Sequence, residues 1–165
     1  MILFETERSL VRQFTAADAE AFFLINGNAT VMHFIRPAKN RKDSDDFLQE
    51  NLNLYQEGSV VGRYAVVDKA SGTIAGTFSF LFLSDKTNYH IGYALLPEYW
   101  GKGLAQELVK QGTPYFFSAT DKTELFAITD KENTASQNAL LKNGYIVKGT
   151  TIEHDKELIL FTISR

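Results

Sequence analysis

The sequence predicts a mixed α/β layer in which helices cross a partly antiparallel sheet. Three observations carry that expectation. Strand-like segments at 60–67, 73–83 and 88–96 are joined by turns of a few residues. Such short links demand antiparallel neighbours, because a parallel return needs a dozen residues or more. On either side of that block, apolar residues recur at helical spacing. The resulting order is β, α, α, three β, α, β, α and two closing β, which interleaves the two kinds of element.

Each element has its own signal. Residues 7–14 read as a first strand, and Thr15-Ala16-Ala17-Asp18 follows as an acidic variant of a capping box. Ala19, Phe22, Phe23 and Ile25 share a helical stripe, and Gly27 suits its end. Residues 28–42 look irregular around Pro37. Ser44 is expected to cap a second helix carrying Phe47, Leu48, Leu52 and Tyr55, with Gly58 at its end. In the meander, Gly76 marks an expected bulge and Phe78, Phe80 and Phe82 an apolar face. Leu104, Leu108, Gly112, Tyr115, Phe116 and Ala119 then define a third helix, with a kink or early break expected at Pro114. Residues 124–129 form a short strand, Asn133 caps a helix through Asn143, and strands at 145–147 and 158–163 flank a turn near His154-Asp155.

Composition narrows the function classes. A chain of 165 residues is one domain's worth, read here as a single domain over 1–165. With no cysteine, disulfides and thiolate metal sites are impossible, and no metal is expected. A formal charge of −3 gives no basic field for nucleic acid. No run approaches the ~18 apolar residues of a membrane span, and the N-terminus lacks a signal-peptide pattern, so a cytoplasmic protein is expected.

The sharpest local feature is Leu95-Leu96-Pro97-Glu98-Tyr99-Trp100-Gly101-Lys102-Gly103-Leu104-Ala105, a strand followed by a glycine loop that opens a helix. The first amides of a helix have no internal partner and lie at the positive end of its dipole. Glycines there let backbone amides approach a phosphate closely, and Lys102 adds charge at the rim. A tight turn without a ligand is the plain alternative. A Walker loop is excluded because Leu104 follows Gly103, and a dinucleotide fingerprint because Gln106 stands at its third glycine.

Trp100-Gly101-Lys102-Gly103-Leu104-Ala105 resembles the GNAT motif Gln/Arg-x-x-Gly-x-Gly/Ala, in the Tyr-Trp-Gly-Lys-Gly-x-Ala form of the branch of ribosomal-protein acetyltransferases RimJ and RimL. Asn133-Thr134-Ala135-Ser136 with Leu140 to Tyr145 is similar to that branch's Asn-x-x-Ser-x7-Gly-Phe/Tyr. Glu7 to Asp18 and Ile91-Gly92-Tyr93 resemble its opening and its fourth strand. The resemblance implies the GNAT acyl-CoA N-acyltransferase fold, with a six- to seven-stranded, mostly antiparallel sheet and about four helices.

It also implies the chemistry. Acetyl-CoA would be co-substrate, its pyrophosphate on Gly101 to Ala105, its thioester beside Tyr93-Ala94-Leu95, and Asn133 and Ser136 in contact with it. Ser136 is the expected general acid. Capping alone is the other role open to Asn133 and Ser136. Relatives often carry Glu where this chain has His90, so the imidazole is the candidate general base, a partly exposed strand histidine being the other reading. Tyr93 reads as core or cleft wall, Trp100 as packing beneath the loop, and His33 and His154 as solvated. Asp43, Asp45 and Asp46 read as a solvated helix start or a contact for a basic acceptor.

The implied acceptor is a primary amine, best a protein N-terminal α-amino group, with a small amine, polyamine or amino sugar as alternatives. A non-catalytic acyl-CoA-binding sensor is the rival, and a nucleotide-binding domain a third class. A monomer or homodimer fits either case.

Overall fold

The computed structural model describes residues 1–165. The chain runs β1 (Ile2–Glu5), β2 (Ser9–Gln13), α1 (Ala19–Asn26), α2 (Ala29–Met32), α3 (Arg41–Leu54), β3 (Gly62–Asp68), β4 (Ile74–Phe82) and β5 (Tyr89–Leu95). It continues with α4 (Leu104–Ala119), β6 (Glu124–Thr129), α5 (Thr134–Lys142), β7 (Ile146–Glu153) and β8 (Lys156–Ser164). One eight-stranded sheet takes the order β1-β2-β3-β4-β5-β6-β8-β7. All neighbours are antiparallel except β5 and β6.

The predicted element order holds, with eight strands and five helices in place of six or seven and about four. The extra strand is β1, which pairs back on β2 across the turn at Thr6–Arg8. The extra helix is α2, a single turn in the segment expected to be irregular, capped by the Asn28 side chain. Ser44 is not a cap. Asn40 caps α3 by accepting from the Asp43 amide at 2.8 Å, and Ser44 lies fully buried one turn further in. That helix ends at Leu54, and Tyr55 turns inward, its hydroxyl accepting from the Phe14 amide and the Asn51 side chain.

Other expectations resolve by packing. The capping box forms, the Thr15 amide donating to Asp18 at 2.8 Å. The bulge falls between Val66/Val67 and Gly76/Ile74. Helix α4 continues through Pro114 to Ala119, because Thr113 and Phe116 on the turns around it are locked into the core. Phe78 and Phe80 are core, whereas Phe82 at the strand end is 42% exposed and lies against Tyr89 at 4.4 Å. The closing hairpin turns at His154 and Asp155, both with positive φ.

The sheet separates two apolar layers. On one face Tyr64, Phe78, Phe80, Ile91 and Leu95 meet Leu104, Leu108 and Phe116 of α4 and Leu140 of α5. On the other, Ala65, Ala94 and Ile74 meet Phe22, Ile25, Leu48 and Met32 from α1, α2 and α3. Alternation along β5 therefore turns Ile91, Tyr93 and Leu95 to the α4 side, and His90, Gly92 and Ala94 to the α1–α3 side.

Candidate functional site

The site starts where β5 leaves β6. Those parallel strands pair only at His90–Phe126 and Ile91–Ala127. Beyond that point β5 stays with β4 up to Leu95, while β6 stays with β8 up to Thr129. The edge of β5 that would face β6 is thus free from Gly92 onward, and a cleft opens in the middle of the sheet.

The glycine loop sits at the end of β5. A one-turn 3₁₀ segment at Pro97–Tyr99 leads into it, and the Trp100 indole N–H donates to the Leu95 carbonyl at 2.7 Å. Trp100 therefore ties the loop to the strand rather than packing beneath it, and is 48% exposed. Gly101 and Gly103 take φ of +70° and +79°, a left-handed conformation that costs other residues about 1–2 kcal/mol. Gly103 is the N-cap of α4 with no side chain capping it. The amides of residues 101–106 donate to no acceptor in the protein. Six unpaired donors on a left-handed turn, at the positive end of a 16-residue helix, fit a diphosphate.

Arg8 holds this loop in place and was not legible from the sequence. Its guanidinium donates to the Lys102 carbonyl at 2.7 Å and pairs with Glu107 in the first turn of α4. The Arg8 amide also donates to Glu107 at 3.3 Å. These partners are more than 90 residues away in the chain, and no local pattern announces them.

Below the cleft, Tyr93 and Ser136 meet. Their hydroxyls are 2.9 Å apart, and the Tyr93 hydroxyl also lies 3.3 Å from the Ser136 carbonyl. Burial raises the Tyr93 phenol above its usual range, against the lesser opposing effect of Ser136. Asn133 does cap α5, accepting from the Ser136 amide at 3.3 Å, and so fixes the start of the helix that presents the serine. Sequence reading singled out both Tyr93 and Ser136 but not their pairing across 43 residues.

His90 faces the opposite side of the sheet. Burial, and secondarily the charge of Arg63, lowers its imidazole to about 4. Its Nδ1 is enclosed and has no partner. The ring is therefore neutral at physiological pH but far less basic than a free imidazole. His33 and His154 are exposed in turns. Asp45 and Asp46 pair along α3 with Arg41 and Lys42, so two of the acidic helix-start residues are already neutralised. No three His, Asp or Glu side chains converge to hold a metal ion, and no helix is long and apolar enough to cross a membrane.

The sheet thus opens beside a glycine-capped helix whose first amides are unpaired. The chain belongs to the acetyltransferase (GNAT) family, whose domain matches residues 8–146. It is 31% identical over 150 residues to the uncharacterized N-acetyltransferase YoaA of Bacillus subtilis, covering 89% of this chain and 84% of that one. Among solved structures, a GNAT-family acetyltransferase from Bacillus anthracis superposes with TM-score 0.82 at 23% identity, over 99% of this chain and 98% of the other. RimL, a ribosomal L7/L12 α-N-protein acetyltransferase in complex with coenzyme A, gives TM-score 0.82 at 16% identity, over 99% and 98%. At those identities the two structures speak to the fold.

Proposed function

We propose that this chain is a single-domain enzyme that transfers acetyl from acetyl-CoA to a primary amine, with the α-amino group of a protein N-terminus as acceptor. The observation that carries the reading is the run of unpaired amides at 101–106, placed beside the opening between β5 and β6. The likeness to RimL, an α-N-protein acetyltransferase solved in complex with coenzyme A, supports the cofactor and the acceptor class.

In this reading the amides of Gly101 to Ala105 hold the pyrophosphate and Lys102 adds charge, while Tyr93, Ala94, Leu95, Trp100 and Asn133 border the pantetheine arm. Bound acetyl-CoA supplies the acetyl group as a thioester. The free edge of β5 offers backbone donors where negative charge develops on the carbonyl oxygen. Ser136 holds the proton destined for the leaving sulfur, and the Tyr93 hydroxyl, 2.9 Å behind it, replaces that proton. His90, its basicity lowered by burial, accepts a hydrogen bond from the incoming amine, and the proton that the nitrogen gives up passes to solvent water, which returns one to Tyr93, so that the amide and the free thiol are the only products. An N-terminal amine suits a site without a strong base, since its pKa near 8 leaves a usable neutral fraction at physiological pH. A polyamine nitrogen near 10 would need one.

Two measurements test this. Acetyl-CoA should bind in a calorimetric titration, and free thiol should appear when N-terminal peptides are added. Binding without thiol release on any amine would make the chain an acyl-CoA sensor, and no binding at millimolar ligand would end the reading.

A further inference from the structure

The α1–α3 face of the sheet holds an unneutralised cluster of cations. Arg63 of β3 lies over the Phe47 ring with its guanidinium carbon 4.4 Å from the centroid. Arg36 approaches the same ring at 5.2 Å, and the Lys39 ammonium does so at 4.6 Å. None of the three forms an ion pair, whereas the partly buried Arg12 and Lys156 each have one, with Asp18 and Asp130. The Arg36 guanidinium has only the Asn26 side chain at 3.3 Å and the Met32 sulfur at 3.6 Å. The Arg63 guanidinium donates to nothing in the protein; only the main chain of that residue is bonded. Glu50 faces Arg63 at longer range without pairing.

Such a cluster is costly to keep. Two guanidiniums repel each other, and burial with the charge of Arg36 pulls Arg63 down to about 10. Arg36 is lowered by burial as well. All three cations and Phe47 remain partly exposed, so the cluster is recessed yet reachable. Local rules broken without internal compensation are expected at functional sites.

Its position links it to the cleft. Arg63 is in register with Ser79, and Ser79 with Gly92, the first β5 residue beyond the pairing with β6. Directly opposed residues share a face, so this row runs from the cation cluster to the cleft across two strand spacings of about 4.8 Å. Gly92 keeps the end of the row low, since a Cβ there would meet the Ser79 hydroxyl at 2.7 Å. His90 stands on the same face and senses the charge of Arg63.

We infer that Arg63 and Arg36, with Lys39, form the acceptor-side subsite for a carboxylate, so that the amine acetylated by this chain carries an acidic group within roughly 10 Å. The inference rests on the acetyl-transfer reading and adds the charge of the acceptor to it. The acidic group has two sources, an Asp or Glu side chain just after a peptide N-terminus, or the side-chain carboxylate of a free acidic amino acid. A cationic polyamine or amino sugar would be repelled from the same place.

The test uses matched acceptors. Peptides with Asp or Glu at positions two and three are compared with their Asn and Gln counterparts in thiol release, with free aspartate and glutamate as a second arm. Acidic acceptors should be favoured by about tenfold or more in kcat/KM, as expected of charge-assisted bonds. Arg63→Gln should erase that preference and Arg63→Lys restore part of it. Removing one of several repelling cations should leave Tm unchanged or raised; if Arg63→Gln fails to fold, Arg36→Gln serves. Preference for the free amino acids over peptides places the carboxylate in a small substrate. Glutarate binding, followed on the arginine side-chain NMR signals, needs no turnover. If glutarate binds the parent but not Arg63→Gln and no amine is acetylated, the anion site stands and the transferase reading falls. If acidic and neutral peptides turn over equally, the anion site is refuted while the transferase reading stands.

Discussion

Replacing Tyr93 by Phe removes one oxygen, and the structure fixes what that should do. The hydroxyl is 2.9 Å from the Ser136 hydroxyl, in a half-buried position against α5. Losing a neutral hydrogen bond of this kind costs about 1 kcal/mol of stability. For a domain of this size that lowers Tm by about 2–4 °C. Catalysis should suffer more, because a general acid contributes about 100- to 10,000-fold. If Ser136 and Tyr93 act as one relay, Tyr93→Phe, Ser136→Ala and the double variant should lose similar factors, near the lower end of that range. Residues that act as a unit are not additive, whereas independent losses multiply. The assay is thiol release at saturating acetyl-CoA, with calorimetric binding of CoA as control and a Tm for each variant. Both single variants turning over within threefold of the parent would refute the relay. Losses that multiply in the double variant would separate the two hydroxyls.

Further outcomes follow from other parts of the structure. Gly103→Val places a branched side chain at φ +79°, its Cβ 3.6 Å from the Arg8 guanidinium that holds the loop, so Tm should drop by several degrees and, on the proposed function, CoA affinity at least tenfold. Gly72→Ala, equally left-handed at φ +72° with open space around it, should lower Tm and leave CoA affinity intact; equal affinities in both variants would dissociate the loop from the cofactor. His90→Gln should lose less than tenfold in turnover at any pH from 6 to 9, since a group near 4 does not titrate there; a loss of 100-fold or more would make it the base. Asp18 is held below its usual carboxylate range chiefly by its hydrogen bonds with Arg12. Its stabilisation is therefore present above about pH 4 and lost as pH falls through the lowered folded value. Asp18→Asn should flatten that part of an acid Tm profile, and an unchanged slope would show that the pair contributes nothing.

Local chemistry made much of this protein legible. Two glycines around a lysine, after a strand and before an apolar helical stripe, mark the loop because only backbone sterics and the helix terminus are involved, and both are local. The same holds for Thr15 with Asp18, for Asn133 as a cap, and for the meander at 60–96, whose links are too short for any other pairing. Where local signals misled, packing had decided. Ser44 carries a capping side chain but lies one turn inside α3, and Pro114 forgoes one hydrogen bond in a helix whose neighbours Thr113 and Phe116 are fixed in the core. Strand β1 escaped notice because the short apolar run Met1-Ile2-Leu3-Phe4 becomes a strand only by pairing with β2.

The sequence alone thus determined the element order, the glycine loop that opens α4 and the identity of the polar groups near it. Tertiary structure alone decided which of those groups meet. Ser136 reaches Tyr93 across 43 residues, Arg8 clamps Lys102 and Glu107 from the far end of the chain, and Arg36 and Arg63 converge on Phe47 without a carboxylate between them. The opening between β5 and β6 is of the same kind, since two strands that diverge after two paired residues do so because each follows a different partner. Periodicity records which face of an element is apolar; it carries no record of what that face will be pressed against.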